Sequence, residues 1–326
     1  MTALRGLGVH AAQLQSLTAL AVLVVVLSVS TESFMSVENG VNVLRQISVN
    51  LCLSIGMTLV ILTGGIDLSV GSVLALAGAV AAGLVKEAIP LPALGYALEF
   101  TAAGAIVAGV AVGLACGAFN GAMVTLFGLP PFVATLGMLS IARGLTLLWT
   151  GARPITGLGE VFETIGSGVW LGLPVMAWVV GGLAVLFAVV TRRTRFGRHL
   201  YAVGGSERAA ALSGVRVGFV KLWAYTLSGA LAGVAGVLLA ARLDSGTPQA
   251  GIAFELDSIA AVVIGGASLA GGRGTIFGAV IGCLIIGVLN NGLVLLGVSS
   301  VWQQVIKGVV ILAAVAIDRA ANRERC

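Results

Sequence analysis

Asp67 places an ionisable carboxylate inside an apolar run that reaches from about Val49 to Val85, in the stretch TGGIDLSVGS (Thr63–Ser72). Charged groups are costly in hydrocarbon, so a residue of this kind marks a candidate functional position. The adjacent glycines Gly64 and Gly65 let the backbone leave a helix just before it. Two chemistries suit the site. The carboxylate can meet a solute that crosses the membrane. Alternatively, Asp67 and Ser69 can satisfy the free N–H groups and positive dipole end where the next helix begins.

Neutral polar residues recur at similar depth. Asn42, Gln46 and Asn50 stand at i, i+4 and i+8 on one helix face, and Asn120, Asn290 and Asn291 fall within later apolar runs. With Asp67 and Ser69 they form the candidate set for a translocation pathway. A polyhydroxylated solute loses free energy at every hydroxyl stripped of water unless a protein group replaces the lost hydrogen bond. Hydrogen bonding between helices is the competing use of the same residues, worth roughly 0.6 kcal/mol each. Arg45, Arg143 and Lys307 are the bases at membrane depth, and Asp67 reads as the only clear acid there.

Catalytic chemistry finds no constellation. The histidines are His10 and His199, neither within an apolar run, and no H-E-x-x-H occurs. Lys86, Lys221 and Lys307 follow Val, Val and Ile, so no G-K-[ST] phosphate loop exists. Cys52, Cys116, Cys283 and Cys326 lack metal-ligand spacing. We therefore expect no cofactor, no metal and no catalytic residue in this chain. An ATP-driven process would need its nucleotide site on another subunit.

The elements that hold these residues must be membrane helices. The chain is 326 residues long, 58% hydrophobic and 10% charged, where a soluble domain carries about 25% charged residues. Ten apolar segments are expected, near 16–34, 41–62, 66–85, 101–126, 131–150, 173–191, 218–241, 257–271, 275–296 and 300–318. The fold class is all-α, a polytopic helical bundle read as a single membrane domain over 1–326. Its 47 glycines suit helices that pack closely. The first run reads as a retained span, since SVSTESF lacks a small-x-small cleavage site.

Seven basic residues lie between Arg192 and Lys221, and Arg5, Arg319, Arg323 and Arg325 flank the ends. The opposite loops carry Glu32, Glu38, Glu87, Glu99, Glu160, Glu163, Asp244, Glu255 and Asp257, with Lys86, Arg153 and Arg242. The basic asymmetry puts both termini and the 192–217 loop in the cytoplasm. It also accounts for the net charge of +5 without a nucleic-acid partner.

Two further patterns stand out. GGIDLSVGSVLALAGAV (Gly64–Val80) and GGASLAGGRGTIFGAV (Gly265–Val280) share G-G-x-x-L-x-x-G and then reach G-A-V. Such echoes mark corresponding positions in duplicated transporters. Within the basic loop, SERAAALSG reads as a short helix with Ser206 as cap, Glu207 in its first turn and Gly214 as stop. Two turns are marginal alone, so the helix is expected to dock in a partner's groove.

TGGIDLSVGS, GLPPFVATLGMLSIARGL with GARPI downstream, FGRHLYAVGGSERAAALSGVRV and AAVVIGGASLAGGRGTIFGAVIG occur in this order. Together they resemble the permease subunit of ribose-type monosaccharide ABC importers, in the branched-chain amino acid/ribose permease superfamily. The likeness covers roughly Asn42 to Asp318. It implies a type II importer architecture of about ten helices in the bacterial cytoplasmic (inner) membrane. A second permease subunit, identical or paralogous, would complete the pore. A cytoplasmic ABC ATPase would hold ATP and Mg, and a periplasmic sugar-binding protein would deliver the monosaccharide. By the same likeness Gly205, Ser206, Glu207, Arg208, Ala209, Ala210, Ala211, Leu212, Ser213 and Gly214 match the helix that couples to the ATPase. An ion-coupled secondary transporter and a membrane scaffold are the competing readings. With Asp67 as the sole acid, a proton-coupled mechanism is poorly supplied.

Overall fold

The computed structural model describes residues 2–91 and 96–323, with side chains described over 14–88, 97–310, 312 and 313. Helices are α1 (Thr2–Ser30), α2 (Val37–Leu62), α3 (Val70–Lys86), α4 (Ala102–Thr125), α5 (Pro131–Thr150), α6 (Glu160–Ser167), α7 (Val175–Arg193), α8 (Arg195–Gly205), α9 (Glu207–Leu212), α10 (Val217–Leu243), α11 (Phe254–Ile264), α12 (Ile276–Leu295) and α13 (Ser300–Arg323). Short antiparallel pairs join β1 (Ile89–Leu91) to β2 (Tyr96–Leu98), β3 (Ile155–Thr156) to β6 (Ser245–Gly246) and β4 (Val169–Trp170) to β5 (Leu173–Pro174). Among the described residues, α2, α4, α5, α7, α10 and α12 are long and apolar enough to cross a membrane. Shorter apolar stretches cover Leu14–Ser30 and Val70–Lys86.

The chain forms two compact units, each discontinuous in sequence. One comprises Met1–Gly65, Leu183–Val215 and Leu256–Cys326; the other comprises Ile66–Gly182 and Arg216–Glu255. In the second unit α10 is the central helix, packed on α4 and α3. Glycines make that packing possible. Gly109, Gly113, Gly117 and Gly121 recur every four residues and form one ridge of α4. A Cβ on Gly113 would strike Gly229 O and Gly233 of α10, and one on Gly117 would strike Tyr225 O. Backbones that approach this closely gain dispersion and packing contacts, the main source of helix association in lipid. The opposite faces of α4 and α5 carry exposed Val107, Leu114, Phe119, Ile141, Leu145 and Leu148, as lipid-facing helices should.

In the first unit α2 packs on α12, and α12 on α1. The glycine pairs of the internal echo end helices here. α2 closes with Gly64 at φ +80, Gly64 N donating to Ile61 O (2.9 Å) and Gly65 N to Val60 O (3.2 Å). α11 closes in the same way, with Gly266 at φ +89, Gly266 N donating to Val263 O (2.8 Å) and Ala267 N to Val262 O (3.1 Å). Both are Schellman motifs, which need a residue in the left-handed region and so favour glycine. The segment expected to span 257–271 therefore stops at Ile264. Its apolar composition continues, but the Gly265–Gly266 turn ends the helix.

Candidate functional site

The basic loop contains two helices. Thr194 Oγ1 accepts from Gly197 N (3.2 Å) and starts α8, which the sequence reading did not resolve. Thr194 three residues before Gly197 was the available signal. Ser206 Oγ accepts from Ala209 N (3.2 Å) and starts α9. Gly214 ends it at φ +82, with Gly214 N donating to Ala211 O and Val215 N to Ala210 O, both at 3.0 Å. The short helix expected within Gly205–Gly214 thus exists over Glu207–Leu212. Ala210 is buried at 4% exposure, while Leu212 is 83% exposed and Glu207, Arg208, Ala209, Ala211 and Ser213 also face outward. One turn earlier, Tyr201 Oη donates to Gly274 O (2.8 Å). Burial pushes the Tyr201 phenol above its ordinary range, against the opposing charge of Arg192.

Asp67 lies just ahead of α3 and is 1% exposed. Its Oδ1 accepts from Ser69 N (3.0 Å) and Ser69 Oγ (2.6 Å), and its Oδ2 accepts from Ser228 Oγ of α10 (3.0 Å). Asn120 Nδ2 of α4 donates to Ser69 Oγ (2.9 Å). The carboxylate therefore fixes the turn before α3 and ties it to two neighbouring helices. Ser69 does not cap α3 with its own hydroxyl, which is turned to Asp67 instead. Sequence reasoning missed Ser228, which is 161 residues away and has no local signal. Asn120 Oδ1 and Tyr225 Oη are buried with no hydrogen-bond partner among the described residues.

The remaining polar candidates separate by environment. On α2, Asn42 is exposed, Gln46 half-buried and Asn50 buried. On α12, Asn291 and Asn39 of α2 exchange two hydrogen bonds, at 3.0 and 2.7 Å. Asn39 went unnoticed because it sits three residues before the polar triad begins. Asn50 Oδ1 and Asn290 Oδ1, by contrast, are buried acceptors without a donor among the described residues. Such groups are uncommon in folded proteins and are expected to meet water or a ligand.

Arg143 and Lys307 have defined partners. Arg143 Nη1 of α5, half-buried, donates to Pro248 O and to Ala250 O (2.9 Å), carbonyl contacts that replace lost water. Lys307 Nζ of α13 lies 3.0 Å from Asp257 Oδ2 of α11. Asp257 is thus not a loop acid, as its place at the edge of an apolar run had suggested. It is 4% exposed inside a helix, so Asp67 is not the sole buried acid. Among the described residues no group of three His, Cys, Asp or Glu could hold a metal ion.

Comparison with known proteins adds an independent line. The family model described as branched-chain amino acid transport system / permease component matches residues 39–315. The ribose import permease protein RbsC of Bacillus subtilis is 47% identical over 300 residues, covering 91% of this chain and 90% of its own length. RbsC of Escherichia coli K12 is 47% identical over 308 residues, covering 93% and 92%. The D-allose transport system permease protein AlsC of Escherichia coli K12 is 41% identical over 296 residues, covering 91% and 88%. No solved structure gives a significant match.

Proposed function

Because the chain belongs to the branched-chain amino acid transport system / permease component family, we propose that it is the membrane-spanning subunit of an ATP-binding cassette importer for ribose or a similar monosaccharide. The observation that carries this reading is its 47% identity, over nine-tenths of both chains, to ribose import permeases. Transport is by alternating access, and the chain itself is not an enzyme. ATP and Mg sit on a cytoplasmic ATPase, two permease subunits form the pore, and a periplasmic sugar-binding protein supplies the solute. About ten helices cross the cytoplasmic membrane, with both termini inside, in keeping with the cluster of basic residues from Arg192 to Lys221.

Residues Gly205–Gly214 serve as the ATPase contact. The exposed Leu212 and Arg208 offer one apolar and one charged handle on α9. The ATPase biases the permease through contacts that differ between its inward-open and outward-open states. Along the pathway, the amide oxygens of Asn50 and Asn290, which have no donor among the described residues, receive solute hydroxyls or their bridging waters. Asp67, Ser69 and Asn291 serve the scaffold.

Reconstitution into vesicles with the cognate ATPase and binding protein tests this reading. Labelled ribose or D-allose should accumulate only when ATP reaches the ATPase. Uptake that persists without ATPase and ATP, yet collapses with the proton gradient, would establish an ion-coupled transporter instead.

A further inference from the structure

At Gly204, in the last turn of α8, three backbone segments of one unit meet without intervening side chains. A Cβ on Gly204 would fall on Leu62 O and on the amide nitrogen of Gly272. Those two atoms are themselves hydrogen-bonded, Gly272 N donating to Leu62 O at 3.1 Å. A Cβ on Gly271, at φ +90, would stand 3.0 Å from both Gly204 O and Gly64 N, and one on Gly272 would stand 2.9 Å from Gly205 N. The Tyr201 hydroxyl adds its bond to Gly274 O. The helix leading into α9 is therefore fastened at once to the end of α2 and to the 265–275 loop that joins α11 to α12. Gly64 belongs to the first half of the internal echo, and Gly271, Gly272 and Gly274 belong to the second.

We infer that Gly204, with Gly271, Gly272 and Tyr201, is a positioning junction that carries displacement of α9 into the end of α2 and the 271–274 stretch ahead of α12 as one rigid step. The inference rests on the reading of Gly205–Gly214 as the ATPase contact. Long side chains can absorb a shift by changing rotamer. Backbone packed on backbone has no such slack, and close-packed interiors transmit strain. A movement of α9 consequently reaches the end of α2 and the 271–274 stretch ahead of α12. The glycine-to-glycine contact is what removes the slack.

The test uses the complete complex of permease, ATPase and binding protein. Gly204→Ala and Tyr201→Phe are compared with Gly144→Ala and Gly181→Ala, helical positions with open space around the added methyl. Three quantities are read: ATPase co-purified with the permease, its basal hydrolysis rate, and the stimulation given by sugar-loaded binding protein. Gly204→Ala, whose methyl forces Leu62 O and Gly272 N aside, should lower stimulation about tenfold for each complex that assembles. Tyr201→Phe should lower it about threefold with assembly intact. The two control variants should match wild type.

Wild-type stimulation in both junction variants would overturn the inference, as would a loss merely proportional to lost complex. Should Gly204→Ala fail to accumulate, Tyr201→Phe decides by itself. A wild-type permease that retains no ATPase overturns the docking reading directly, and the junction falls with it. Retained ATPase with undisturbed stimulation in both variants sinks the junction alone.

Discussion

Lys307 Nζ and Asp257 Oδ2 face one another at 3.0 Å across α13 and α11, with Asp257 almost fully buried. Removal of one member leaves a charge without its partner in a place where water cannot compensate. Lys307→Met should therefore cost about 3 kcal/mol of stability. The double variant Lys307→Met/Asp257→Asn should recover most of that loss. Denaturation in detergent, read together with abundance in the membrane, distinguishes the cases. A single variant as stable as the double would show that the pair contributes little.

Asp67 is a second buried acid with a different environment, held by hydroxyl and amide donors. Ser228→Ala removes the donor to Oδ2 and should cost about 1 kcal/mol, with the KM for sugar unchanged. Asp67→Ala should lower the amount of folded permease rather than its apparent affinity. A raised KM at full abundance would instead make Asp67 a solute contact.

The opposite pattern is expected at Asn50 and Asn290. Their amide oxygens hold no protein donor among the described residues, so Asn50→Ala and Asn290→Ala should leave stability near wild type. Each should raise the KM for sugar about tenfold, the equivalent of one lost hydrogen bond. Asn291→Ala should reverse the signature, costing about 0.6 kcal/mol of stability through its lost bonds to Asn39 with KM unchanged. Uptake kinetics normalised to folded protein separate the two classes.

Close backbone approach governs the α4–α10 contact. Gly113→Leu forces a side chain into the path of Gly229 and Gly233 and should cost about 3 kcal/mol or more. Gly137→Leu on α5, an exposed position where nothing lies within 4 Å of an added Cβ, should be tolerated. Equal abundance of the two variants in membranes would remove the packing argument.

On α9, Leu212→Asp should abolish ATPase co-purification and leave membrane insertion intact, because the leucine is 83% exposed. Ala210→Asp is a poorer probe of docking. That alanine is buried, so a carboxylate there would disturb the permease before any partner binds. Unaltered assembly in Leu212→Asp would place the ATPase contact elsewhere.

Local chemistry was legible in the sequence. Apolar runs gave the positions of α2, α4, α5, α7, α10 and α12, since the bilayer demands continuous hydrocarbon-compatible helices. Ser206 and Gly214 gave α9 its limits, and Gly64 gave the end of α2, because caps and left-handed turns depend on residues a few positions apart. The family likeness rested on ordered motifs of the same local kind.

Only tertiary structure decided which polar groups serve the scaffold. Asp67 and Ser228 are 161 residues apart, Asn39 and Asn291 are 252 apart, and Asp257 was misplaced because its partner Lys307 lies 50 residues downstream. Hydrogen bonds and ion pairs act over a few ångströms, and no local pattern tells an asparagine that its partner will arrive from another helix. From the amino-acid order alone it follows that this chain is a helical membrane protein with a short capped helix in its basic loop and with glycine turns. Packing decided which buried oxygens are spent on neighbouring helices and which, like those of Asn50 and Asn290, stay open to another donor.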